Sequence, residues 1–197
     1  MIKNRSDFYY YLDQDRKALG IKKPCLSDKI KQFIWPNEVW KFEILLRKTE
    51  YYKNIEKPAY IFKFLYIVYA YRLKKQSLKL GFTIPCNVFG PGLSIAHYGT
   101  IVVNGKARVG ANCRLHANTN IGASAGRLTA PQIGDNCYIG PGAIIFGDIQ
   151  ISNNVTIGAN ATVNKSFLEE NIAIAGTPAK VVKTDMKNWT IFNKITL

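Results

Sequence analysis

Residues 133–163 read IGDNCY IGPGAI IFGDIQ ISNNVT IGANAT V, and an aliphatic residue opens every hexad: Ile133, Ile139, Ile145, Ile151, Ile157 and Val163. A helix brings its apolar face back after three or four residues and a half-buried strand after two, so a beat of six fits neither element alone. Short strands joined by tight corners repeat in this way, and a parallel β-helix stacks them into a solenoid. Four positions after the aliphatic of each hexad comes a second small or branched residue, among them Cys113, Cys137, Ala143, Ile149, Val155 and Ala161. Two inward positions per hexad fill a narrow interior and leave the Gly, Asn and Asp positions at the corners.

Working back from Ile133 by sixes gives Ile121, Leu115, Val109 and Val103, with Arg127 as the one miss. The miss falls in ASAGRLTAPQ, residues 123–132, whose Gly and Pro break a strand, so this segment is expected to leave the coil as a loop and rejoin at Ile133. Ile95 and Ile101 keep the beat but are offset by two residues, which predicts an irregular coil around His97.

Residues 1–80 have a different character. Aromatic and aliphatic residues recur at helical spacing, with breaks at Pro24, Pro36 and Pro58. Asn37 is placed to cap a helix with Val39, Phe42, Leu45 and Leu46 on one face. After Pro58, a face of Ile61, Leu65, Tyr69 and Leu73 bordered by Lys63, Arg72, Lys74 and Lys75 is expected to pack against the repeat or another subunit, with a membrane surface as the alternative. The expected organisation is a helical region over 1–80, a β-helix domain over 81–183 and a tail over 184–197.

The chain has 197 residues and a net charge of +14, and the excess is concentrated in front: residues 1–80 hold 18 Lys and Arg against 8 Asp and Glu. Such a front attracts polyanions or anionic lipid. No zinc-finger spacing or RNA-binding aromatic signature accompanies it, which argues against nucleic acid as the partner. The stretch Tyr60 to Tyr71 is interrupted by Lys63 and is too short to span a bilayer, and the N-terminus lacks the apolar run of a secretory signal. Cytoplasmic residence is expected, with peripheral contact at the inner membrane face as the alternative. Cys25, Cys86, Cys113 and Cys137 form no CxxC pair and only two histidines are present, so reduced thiols and no metal are expected.

From Gly81 to Lys183, about half the chain, the sequence resembles the hexapeptide-repeat acyltransferases, and within them the serine acetyltransferase branch. Two blocks carry the resemblance: IAHYGTIVVNGKARVG, residues 95–110, around the position of that branch's catalytic histidine, and AGTPAK, residues 175–180, its closing signature. The resemblance implies a left-handed parallel β-helix of three hexads per turn, acetyl-CoA as co-substrate, and a homotrimer with sites between subunits. It assigns His97 as the general base that takes the proton of the acceptor hydroxyl during attack on the thioester, a task suited to an imidazole. Ala123, Pro141 and Ala159 match the corners along which the pantetheine arm runs, and Thr177 and Lys180 match the nucleotide end. His116, 19 residues after His97, has no counterpart in the branch and is expected to touch the acceptor or the oxyanion, with an interface role as the alternative.

The chain departs from the branch at three places. GFTIPCN, residues 81–87, has Thr83 where an aspartate orients the histidine, Ala96 replaces a second aspartate, and the loop that clasps the substrate carboxylate is AGRLTAPQ, with Arg127 remaining. These losses turn the expected acceptor from serine to a hydroxyl of a sugar or glycan precursor in polysaccharide assembly. Serine O-acetylation in cysteine biosynthesis and a non-catalytic trimeric scaffold are the alternatives. A carboxylate partner for His97 is expected from the helical front or a neighbouring subunit, with a main-chain carbonyl orienting the ring as the alternative.

Overall fold

The computed structural model describes residues 1–22, 37–56 and 58–192. Pro24, Cys25 and Pro36 lie outside them. Asn4 caps α1 (Arg5–Ala18) by accepting the Asp7 N–H. α2 (Glu38–Asn54) starts as expected: the Asn37 side chain accepts the Trp40 N–H at 3.0 Å, and Val39, Phe42, Leu45 and Leu46 are all buried. α3 (Tyr60–Leu80) follows Pro58 and stops at Gly81, whose φ of 78° is the left-handed conformation that ends helices.

One expectation for α3 needs correction. Leu73 and Leu80 are buried, Leu65 and Tyr69 are half-buried, but Ile61 is exposed. α3 lies along α2, with Tyr69 stacked on Tyr52 at 5.3 Å between ring centres. Only its C-terminal half carries buried residues (Leu73, Gln76 and Leu80), next to the entry into the first strand, so the N-terminal turns keep an outer face.

Among the described residues the chain then runs through fourteen short strands: β1 (Phe82–Thr83), β2 (Ser94–Ile95), β3 (Ile101–Val103), β4 (Arg108–Val109), β5 (Arg114–Leu115), β6 (Thr119–Gly122), β7 (Gln132–Ile133), β8 (Tyr138–Ile139), β9 (Ile144–Phe146), β10 (Gln150–Ile151), β11 (Thr156–Ile157), β12 (Thr162–Val163), β13 (Ala173–Gly176) and β14 (Ala179–Lys183). They form three sheets, ordered β1-β3-β6-β9-β12, β4-β7-β10 and β2-β5-β8-β11-β13-β14. All pairings are parallel except the closing β13–β14 hairpin. The chain visits the first, second and third sheet in turn and then returns to the first. Partners stand eighteen residues apart wherever the repeat is regular, as in Ile101 with Thr119, Tyr138 with Thr156 and Ile144 with Thr162.

The six-residue beat is the inward row. Ile133, Ile139, Ile145, Ile151, Ile157 and Val163 are at most 4 % exposed, and the second inward positions, Cys113, Cys137, Ala143, Ile149, Val155 and Ala161, are buried with them. Each large aliphatic withdrawn from water contributes about 1.5–3 kcal/mol, and the small partners let opposite walls approach. The corners require left-handed backbone, which Asn tolerates better than other residues with a side chain. Asn112, Asn136, Asn154 and Asn171 all have φ between 55° and 58°, and they stack: the Asn112 amide donates to Asn136 and the Asn154 amide to Asn171.

The helical front is bolted to the first coil by a buried polar cluster. Arg47 of α2 donates to both oxygens of Asp15 of α1 (2.7 and 3.2 Å), to Glu50 (2.9 Å) and to the carbonyls of Phe89 and Gly90. Asp15 also accepts the N–H groups of Gly92 and Leu93, and Glu43 accepts that of Ile95 at 3.3 Å. Burial works against the Arg47 charge, but Asp15 and Glu50 outweigh it and hold the guanidinium above its ordinary value. Burial, with the Asp15 charge added, pushes the Glu43 carboxyl well above the carboxylate range.

Candidate active site

The corner between the third and first sheets is where the repeat's irregularity acts. Between β5 and β6 this corner takes residues 116–118, whereas between β2 and β3 it takes 96–100. Ile95 pairs with Leu115 at a separation of twenty, and Val103 pairs with Ile121 at eighteen. The two extra residues lengthen the corner and put His97 and Tyr98 on the surface. The longer corner leaves the His97 imidazole standing out from the coil, exposed to a hydroxyl that approaches from solvent.

His116 sits at the same corner one coil further on. Its ring centre is 6.3 Å from that of His97 and 5.0 Å from that of Tyr138. Its Nε2 is buried with no hydrogen-bond partner among the described residues. Burial, then the Arg114 charge and then His97, hold the imidazole below its ordinary value, so it is neutral at pH 7. Arg114 donates to the Ser94 hydroxyl at 3.0 Å and lies 5.7 Å from the ring centre of Trp189. The sequence reading missed Arg114 and Tyr138. Their signal was in the register: each stands directly before an inward residue, Leu115 and Ile139, and so on the outer surface of adjacent strands.

The structure divides the remaining predicted residues between two corners. Gly140 donates to the Ile157 carbonyl and Gly158 to that of Ile174, so the coils stack in step and Pro141 and Ala159 lie below His97 along one edge. Both are exposed. Side chains at the neighbouring glycines would not fit: a Cβ on Gly140 would come within 2.8 Å of the Ala159 nitrogen. The edge is thus a strip of small residues that an extended chain can lie along. Thr177 continues it, with its hydroxyl 3.2 Å from that of Thr162, and exposed Lys180 follows on β14.

Ala123 and Arg127 lie at the other corner, between the first and second sheets, in the segment after β6. That segment does leave the coil: Asn120 pairs with Ile144 at a separation of twenty-four instead of eighteen. Arg127 and Leu128 are exposed on it.

Among the described residues of this protomer no carboxylate pairs with the His97 ring. Asp15 and Glu43 do come from the helical front, but they bind the main chain at residues 92–95. They hold the strand leading into the histidine corner, not the ring. Cys113 and Cys137 are core filler as expected, and burial raises both thiols, Cys137 to about 11.

The Bacterial transferase hexapeptide (six repeats) family matches residues 130–165. Among curated proteins, the serine acetyltransferases of Staphylococcus aureus (strain Mu50 / ATCC 700699) and Staphylococcus xylosus are 33% and 34% identical over 98 residues, covering 49% of this chain and 46% and 45% of theirs. The chain thus matches about half the length of these relatives. Among solved structures, serine acetyltransferase from Brucella abortus strain S19 has a TM-score of 0.69 at 22% identity, over 91% of this chain and 70% of that one. The soybean serine acetyltransferase apoenzyme has a TM-score of 0.70 at 19% identity, over 90% and 69%. The Brucella abortus protein has also been solved in complex with coenzyme A, with a TM-score of 0.69 at 24% identity over 93% and 71%.

The repeat region is that of the hexapeptide-repeat acyltransferase superfamily. Over the 98 matched residues it is similar to the serine acetyltransferase-like branch.

These relatives overturn the sugar or glycan acceptor and the polysaccharide pathway expected from Thr83 and Ala96, since they are named for serine. The error has a physical root. Two missing carboxylates say which groups do not hold the acceptor, and they supply no contact that selects a sugar.

Proposed function

We propose that the chain is an acetyl-CoA-dependent serine O-acetyltransferase built on a left-handed parallel β-helix (81–183) behind a helical region (1–80). The observation that carries this reading is the two-residue enlargement that pushes His97 out of the coil, within the half of the chain that aligns with serine acetyltransferases. His97 is the general base: its ring takes the serine hydroxyl proton as the oxygen attacks the thioester, and the proton is then available to the departing thiolate. When bound, acetyl-CoA supplies the activated acyl group. Its pantetheine arm would run along the Pro141 and Ala159 edge, with Ala123 contributed by the facing corner of the neighbouring protomer and Thr177 and Lys180 at the nucleotide end.

His116, neutral and carrying an unpartnered buried nitrogen, offers a hydrogen bond to the acceptor or to the oxyanion. Arg127 supplies a cation for the serine carboxylate. Because Arg127 and His97 lie at different corners of a three-sided coil, they meet when the corner of one protomer faces the other corner of its neighbour, which supports a homotrimer with shared sites.

The test measures thiol release from acetyl-CoA. Serine-dependent release is expected from the wild type. His97→Ala should lower turnover by about 10²–10⁴-fold while coenzyme A binding persists, the range for loss of a positioned base. Near-normal turnover in that variant would remove His97 from the role. Absence of acetyl-CoA binding in the wild type would favour the scaffold reading.

A further inference from the structure

α3 carries five cations, Lys63, Arg72, Lys74, Lys75 and Lys79, and no carboxylate. Along its outer side run Tyr60, Phe64, Ile67, Tyr71 and Leu78. Spacings of four, three, four and seven put these on one line of a helix. All five are between 60% and 89% exposed. At 3.6 residues per turn, Lys63 and Lys74 border the line on one side, and Lys75, Arg72 and Lys79 border it on the other.

The cations sit close to the stripe. The Lys63 ammonium lies 5.6 Å from the Tyr60 ring centre and that of Lys75 5.2 Å from Tyr71. Lys79 pairs with Glu38 at 2.6 Å, while Lys63, Arg72, Lys74 and Lys75 have no ion pair among the described residues. The opposite side of α3, through Leu73, Gln76 and Leu80, already holds the helix in the fold. Docking of the outer side therefore needs no rearrangement. Among the described residues no helix is long and apolar enough to cross a membrane.

We propose that α3 lies flat on an anionic lipid surface, with the aromatic and aliphatic stripe at the acyl boundary and the two cation rows at the phosphates. An apolar line bordered on both sides by lysine and arginine matches the cross-section of a lipid interface. Charge selects this occupant. A second copy seated on the stripe would set cation rows against cation rows with no carboxylate on either α3 to offset them. A nucleic acid would satisfy the cations but leave five apolar side chains against its phosphates.

The experiment is cosedimentation of the full chain with vesicles of phosphatidylcholine alone and of phosphatidylcholine mixed with phosphatidylglycerol, with light scattering on the same samples. Binding is expected only to the anionic vesicles and should weaken with added salt. Combining Lys63→Gln, Lys74→Gln and Lys75→Gln should weaken it by about two orders of magnitude, given the contribution of each basic residue at such a surface. Phe64→Ser with Ile67→Ser, both at exposed positions, should abolish binding while oligomer mass and circular dichroism stay unchanged. No binding to anionic vesicles overturns the proposal. So does a fall in oligomer mass in the Phe64→Ser/Ile67→Ser variant, which would make a second copy the occupant. Preferential capture of single-stranded RNA over vesicles in competition overturns it as well.

Discussion

Arg47 is fully buried and meets four acceptor groups: two carboxylates, Asp15 and Glu50, and the carbonyls of Phe89 and Gly90. Desolvating a guanidinium is costly, and here the cost is offset only because every direction of its planar fork finds an oxygen. Removing it leaves Asp15 and Glu50 charged, buried and short of donors. Arg47→Met should therefore destabilise the fold by about 3–5 kcal/mol, read as a shift in the urea midpoint. Glu43 poses the opposite case. Its Oε1 accepts from Ile95, its Oε2 has no partner among the described residues, and burial holds the proton on. The folded state binds this proton more tightly than the unfolded chain does, so the favourable contribution is complete below the ordinary glutamate range and is lost as pH rises toward the elevated folded value. Glu43→Gln keeps the acceptor without the titration. Its stability should match the wild type near pH 4 and exceed it by about 1–3 kcal/mol at pH 8, and equal stability curves at both pH values would refute the assignment.

At the scale of elements, the inward row, the corners and the departing loop were all legible because each is a local consequence of period. Ile133 through Val163 had to face one way for a six-residue beat to exist, and the failed beat at Arg127 located the segment that leaves the coil. The polar bolt was illegible for the converse reason. Asp15, Glu43 and Arg47 look like solvated residues on amphipathic helices, and a bond between residues 15 and 47 leaves no periodic trace. The exposed Ile61 face was misread because periodicity reports that a face is apolar without reporting what covers it. The loop offers a direct check on the repeat. Deleting residues 124–129 shortens the long separation between Asn120 and Ile144 to the regular eighteen, so the coil should close without it. Thermal unfolding should stay within a few degrees of the wild type, since surface loops contribute little to stability. Serine-dependent turnover should fall because Arg127 is removed, and a collapse of the fold would show that the loop is structural.

At the scale of the whole molecule, the proposed function draws on two corners of the coil. His97 stands at the corner between the third and first sheets and Arg127 at the corner between the first and second, on different edges of one coil. A site that uses both draws them from neighbouring subunits. This makes complementation decisive. His97→Ala and Arg127→Ala are each expected to be poorly active alone, but a mixed trimer can contain an interface with His97 from one protomer and Arg127 from the next. With random assembly from equal amounts, an intact interface forms when both neighbours contribute the unmutated residue. About a quarter of wild-type turnover should then return on co-expression, in proportion to the shared interfaces of a cyclic trimer. If both residues act within one protomer, every site carries one defect and co-expression yields no more than the average of the two variants. Recovery would also separate the two roles, because rescue through an interface requires His97 and Arg127 to be needed at the same site and rules out a purely structural part for either.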